Sequence, residues 1–158
     1  MKKLLFAFMV LTAFAACSGD RAPFNYRGLL FTLTTSQITD SMLARGFAYD
    51  SIASDSGRTA VFAKSGVSYR VLVAFAGEKL RAIQETYSLS TNDSTRRLWQ
   101  ELHDGLEKEL DAWPDCPILK EDHKVANFDA TDGIISVILE NTYRPSLTVR
   151  YIVKEKEK

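Results

Sequence analysis

One stretch of this chain constrains its fold more than any other. Leu98, Leu102, Leu106, Leu110 and Trp113 recur every three or four positions, which places them on one face of a helix. Ser90-Thr91-Asn92-Asp93-Ser94 supplies capping side chains before that helix, and Pro114 is expected to end it. Gly105, in its middle, costs about 1 kcal/mol relative to Ala, so its surroundings either require a small residue or tolerate the loss. An amphipathic helix of this length must lie on something apolar. The rest of the chain supplies strands.

From Gly28, the run Leu29–Thr34 reads as a strand, followed by Thr35-Ser36-Gln37 as the N-cap region of a shorter helix carrying Ile38, Met42 and Leu43. Gly46 suits the left-handed position that closes a helix, with Phe47 covering the cap. Residues 48–58 read as a loop or irregular strand. Thr59–Ala63, Val67–Ala76 and Leu80–Leu89 then form a hairpin meander with turns at Ser65-Gly66 and Gly77-Glu78-Lys79. Tyr69, Val71, Val73 and Phe75 share one face of the middle strand, and Leu80, Ala82 and Gln84 alternate on the last. After the long helix, strands recur at Val125–Ala130, Ile134–Glu140 and Leu147–Val153, with turns at Thr131-Asp132-Gly133 and Tyr143–Ser146.

The expected fold class is therefore α+β, with two helices packed on one face of a mainly antiparallel sheet. Each half reads as a helix followed by three strands, as in a pair of pseudo-repeated units. Landmarks recur 67 residues apart: Leu43 and Leu110, Gly66 and Gly133, Leu72 and Leu139, Leu80 and Leu147. Such spacing fits a duplication or two similar units converging on one layout.

The amino terminus carries a different signal. Lys2 and Lys3 precede 13 residues without a charge, Leu4–Ala16, ending in small residues. This is the pattern of a secretory leader, and the run is too short for a membrane span, which needs about 20 apolar residues. Four segments follow: a signal peptide at 1–16, a small polar tether at 17–27, one globular domain at 28–153 and a charged tail at 154–158. Lys154-Glu155-Lys156-Glu157-Lys158 alternates in sign and reads as a frayed, solvated end.

The stretch Leu11-Thr12-Ala13-Phe14-Ala15-Ala16-Cys17 resembles the lipobox of bacterial lipoproteins, with Phe14 standing where that family more often has an aliphatic residue. The resemblance implies acylation of Cys17, removal of the leader and a lasting membrane anchor. No Asp follows Cys17, so by the same resemblance the periplasmic face of the outer membrane is the expected location. The layout of residues 28–153 is similar to that of small envelope lipoproteins of unknown function, and more loosely to periplasmic modules built from a helix and a three-strand meander. Layout of this kind carries no activity with it. Ala13-Phe14-Ala15 also reads as an ordinary cleavage site, which would leave a secreted chain such as a soluble inhibitor, in which Cys17 and Cys116 could form a disulfide. With Cys17 acylated, Cys116 is an unpaired thiol and reads as a small buried hydrophobe beside Trp113-Pro114.

Chemistry is sparse in the mature part. Without residues 1–16 the chain has 18 basic and 20 acidic side chains, about −2 net, so no basic excess marks a nucleic-acid partner. Phosphate-loop, dinucleotide and nucleophile-elbow glycine patterns are lacking. His103 and Glu107 are four apart on the long helix, but two ligands do not make a zinc site. Cys116 with His123 or His103 as base is the other candidate, set against it by the adjoining Asp115. Neither a cofactor nor a metal is expected.

Binding has better support. Tyr26-Arg27 and Tyr143-Arg144 place aromatic and guanidinium groups at expected loop positions, and Phe47, Tyr49 and Trp99 could add apolar surface. The expected function is a lipid-anchored, non-catalytic periplasmic module with the membrane and an envelope protein as partners. The alternative is a small envelope hydrolase with a site assembled from scattered residues.

Overall fold

The computed structural model describes residues 23–55, 57–64, 69–116 and 118–155; the leader, Cys17 and Gly66 lie outside them. A capping box opens α1 (Thr35–Ala44): the Gln37 amide N–H donates to the Thr34 hydroxyl at 3.4 Å, and the Thr34 N–H donates to the Gln37 side chain at 3.0 Å. It closes as expected at Gly46, whose φ is +80°. The Phe47 N–H reaches the Met42 carbonyl at 3.1 Å and the Gly46 N–H reaches that of Leu43 at 2.9 Å, the paired bonds of a Schellman end.

The longer α2 (Asn92–Leu110) starts at Thr91, whose hydroxyl accepts from the Ser94 N–H at 3.2 Å, with Asp93 in the first turn facing the helix dipole favourably. It stops one turn short of Pro114, at Asp111 in the left-handed conformation (φ 47°). Trp113 consequently leaves the apolar stripe and stands 87% exposed. Thr95, Trp99 and Leu106 form the buried face, and the Trp99 indole N–H donates to the Val137 carbonyl at 3.3 Å. Trp99 is thus core, not apolar surface. A Cβ on Gly105 would meet nothing within 4 Å, so the helix simply tolerates this glycine.

Among the described residues, ten strands complete the fold: β1 (Asn25–Tyr26), β2 (Leu29–Leu30), β3 (Ala48–Tyr49), β4 (Thr59–Ala63), β5 (Tyr69–Ala76), β6 (Lys79–Ser88), β7 (Ile118–Lys120), β8 (His123–Ala130), β9 (Gly133–Glu140) and β10 (Ser146–Val153). Strands β3 to β10 make one antiparallel sheet in the order β3-β4-β5-β6-β10-β9-β8-β7. Its order reads alike from both edges, with β6 and β10 paired at the centre. Each half is a helix followed by four strands, the expected meander plus a short edge strand.

Of the strand landmarks spaced 67 apart, Leu80 and Leu147 are both in the buried core, but Leu72 and Leu139 do not correspond. Leu139 is fully buried on the helix side of β9, whereas Leu72 lies on the other face of β5 between Val61 and Gln84. An odd offset turns a strand residue over, because side chains alternate faces. Ala60 and Phe62 on β4 match Ala126 and Phe128 on β8 in both chemistry and burial, 66 positions apart.

The helix side of the sheet is the core. Val73, Ile83, Tyr151, Ile135 and Phe128 are cross-strand neighbours in one buried row, and Val71, Glu85, Val149, Val137 and Ala126 in the next. Fully burying each large apolar side chain stabilises the fold by about 1.5–3 kcal/mol. One carboxylate interrupts this surface.

The stretch expected as a strand at Leu29–Thr34 is mostly turn. Arg27 (φ 48°) and Gly28 (φ 83°) make a tight hairpin of β1 and β2, and the chain then bends at Leu30–Leu33 into α1. Residues 24–27, expected in the tether, belong to the fold: Phe24 stacks on Phe31 at 4.9 Å and Tyr26 meets Tyr151 edge-on at 5.2 Å. At the other end Lys154, expected in a frayed tail, is held by Asp129 and by the Asp132 carbonyl.

A cleft floored by a buried carboxylate

A bulge in β6 puts the carboxylate inside. Ala74 pairs with Ala82 but Phe75 pairs with Leu80, so Arg81 is the extra residue and the alternation shifts by one. Ile83, Glu85 and Tyr87 therefore face the helices, while Gln84 faces the other side and accepts from Arg150 Nε at 2.8 Å. The expected phase of Leu80, Ala82 and Gln84 holds only as far as the bulge.

Glu85 is 0% exposed, and an unpaired buried carboxylate costs several kcal/mol. Five hydrogen bonds offset that cost. The Tyr26 and Tyr69 hydroxyls each donate to Oε1 at 2.6 Å, and Arg27 Nε donates to the same oxygen at 2.8 Å. Oε2 accepts from the Tyr87 hydroxyl at 2.9 Å and from Arg27 Nη2 at 3.2 Å. Arg27 Nη2 also donates to the Tyr87 oxygen at 3.1 Å. Among the described residues, no buried side-chain polar atom lacks a partner. The network is complete.

Its electrostatics hold the protons in place. Burial, then the negative charge of Glu85 and its hydrogen bonds, raise the Tyr26, Tyr69 and Tyr87 phenols well above their ordinary value of 10.0. Tyr151 is pushed up to about 12, chiefly by burial. For Arg27, burial works against the charge, but the contact with Glu85 outweighs it and the guanidinium is held more firmly protonated. The phenols remain neutral donors to the Glu85 side chain.

Over this floor lies a cleft of about 460 Å³ between α1 and the strands β5 and β6. Met42, Phe47 and Leu89 line it together with the rings of Tyr26, Tyr69 and Tyr87, and its cations are Arg27, Arg45 and Lys64. Arg45 Nη2 donates to the Arg27 carbonyl at 3.2 Å, tying the end of α1 to the β1–β2 turn. Lys64 Nζ stands 5.6 Å from the Phe47 ring centre.

The expected binding residues divide. Tyr26, expected at an exposed loop position, is 1% exposed because its ring fills the gap between Tyr151 and Glu85. Arg27 reaches the cleft with its side chain 52% exposed. Tyr143 is 98% exposed, and Arg144 lines a depression on the opposite sheet face with Arg70, Gln84 and Thr86, so the two pairs do not share a surface. Tyr49 is 47% exposed, while Phe47 joins the cleft wall.

The chemical candidates lie elsewhere. His103 stacks on Trp99 at 5.0 Å, with Nδ1 3.0 Å from Asp104 and 3.8 Å from Glu107. Asp104 thus joins the expected pair, giving three groups with ligand atoms within 4.8 Å on one helix. Cys116 is half-buried, and its thiol is raised by burial and then by Asp115, which opposes nucleophile formation. Comparison with protein families, with curated proteins and with solved structures found no match to this chain.

Proposed function

We propose that this chain is a lipid-anchored periplasmic envelope protein acting as a non-catalytic binding module, with the cleft over Glu85 as its binding site. The observation that carries the binding part is the saturation of the cleft's acid–base groups. Glu85 accepts from three phenols and one guanidinium, and those phenols are held as donors. A general base must be free to take a proton, and a nucleophile must reach its reactive form. What lines the cleft instead is an apolar wall with Arg27, Arg45 and Lys64, groups suited to recognition. His103, His123 and Cys116 are not among the cleft residues.

The anchoring part rests on Lys2, Lys3, the uncharged run Leu4–Ala16 and Cys17. An intact-mass measurement on the membrane fraction should find an acylated chain beginning at Cys17, and Cys17→Ser should release it to the soluble fraction. An unacylated wild-type chain contradicts the anchor. For the non-catalytic part, chromogenic ester, phosphate and glycoside substrates should show no turnover above buffer. Turnover that Tyr87→Phe abolishes contradicts it.

A further inference from the structure

Resting on the cleft reading above, we infer that the ligand is a small amphipathic anion: one carboxylate or phosphate held by Arg27, Arg45 and Lys64, with an apolar body against Phe47 and Leu89. Charge imbalance is the first support. Three cations line the cleft and no acidic side chain is among its described lining residues. Glu85 lies beneath them and is already engaged by Arg27. Among the described residues, neither Arg45 nor Lys64 has an ion pair.

The placement of Arg27 is the second support. Its backbone is left-handed, at φ 48°, a conformation that a side-chain-bearing residue adopts only at a cost. The Nε and Nη2 edge is fixed on Glu85, which leaves Nη1 without a protein partner among the described residues. Arg45 is drawn to the same turn by its bond to the Arg27 carbonyl. Glu85 matches the charge of Arg27, which leaves Arg45 and Lys64 as the cleft cations without a matching anion among the described residues. The cleft's volume of about 460 Å³ suits a small ligand, and its apolar wall lowers the local dielectric, which strengthens an ion pair there.

Carboxylate and phosphate share this chemistry, and the test separates them. The full chain is titrated with 4-phenylbutyrate, 4-phenylbutyl phosphate and neutral 4-phenylbutanol, reading heat and the Met42 methyl NMR signal. Both anions should move Met42, and the alcohol should bind about tenfold more weakly or worse. Arg45→Glu combined with Lys64→Glu should weaken the anions by a similar factor while the free spectrum keeps its dispersion. The tighter anion identifies the head group. Equal affinity for alcohol and anions, or anion binding untouched by charge reversal, overturns the inference and leaves the cleft reading standing. If no probe moves Met42, the inference falls, and if small molecules extracted from the envelope do not move it either, the cleft reading falls with it.

Discussion

The two halves of the sheet are built on one plan and finished differently. Over β8, β9 and β10 lies α2, 19 residues long, and beneath it Ala126, Phe128, Val137, Leu139 and Val149 are apolar and 0% exposed. The other half has α1, only 10 residues long and packed toward the edge strand β3. That shorter helix leaves β5 and β6 partly uncovered, and the β1–β2 hairpin fills the gap with Tyr26 and Arg27. The contrast teaches that a meander capped by a full-length helix closes into an apolar core. Capped by half a helix, it retains a polar network and an opening to solvent.

The largest expected effect tests that polar network. Glu85→Ala strands three phenols and a guanidinium, and should cost about 4 kcal/mol in urea unfolding, whereas a loss below about 1 kcal/mol would remove the network from the account. Leu139→Ala in the apolar half should cost about 3 kcal/mol through the cavity it leaves. If the account is right, these losses respond differently to alkali, since only the first involves titrating groups. Tyr26→Phe, which removes one donor and keeps the ring, should cost about 2 kcal/mol.

A pH series sharpens the comparison further. The folded phenols of Tyr26, Tyr69 and Tyr87 hold their protons above the ordinary value of 10.0, which an unfolded chain would show. Their contribution is complete below about pH 10 and falls as pH rises from there through the folded values. Leu139→Ala should keep the wild-type slope above pH 10, and Tyr26→Phe should flatten it. The smallest effect has the opposite sign: Gly105→Ala, on the open side of α2, should stabilise by about 1 kcal/mol. A thermal melt that shows destabilisation would mean that this helix face packs against something.

Much of the apolar half could be read directly from residues. The stripe Leu98, Leu102 and Leu106 gave α2 its period, and β8 to β10 lie within two residues of their expected bounds. Periodicity records burial, and this half is buried regularly. The cleft was harder to read because its decisive features break that regularity. The bulge at Arg81 turned Glu85 inward, and strict alternation from Leu80 selected Gln84 instead. Reading back from Ile83 gives Ile83, Glu85 and Tyr87 on one face, a phase that would have placed the carboxylate in the core. Likewise Tyr26-Arg27 had the composition of a surface turn, and only the left-handed pair Arg27 and Gly28 folds that turn back onto Glu85. Long-range partners 58 and 59 residues away leave no local pattern.

The central claim is that the half with the shorter helix is the one that binds. Methyl NMR of the full chain, with and without small molecules extracted from the envelope, tests it most directly. The account predicts shifts at Met42 and Leu89, which line the cleft, and none at Leu106 and Leu139 beneath and within the α2 layer. Shifts centred on Leu106 and Leu139, with Met42 and Leu89 unmoved, would contradict it.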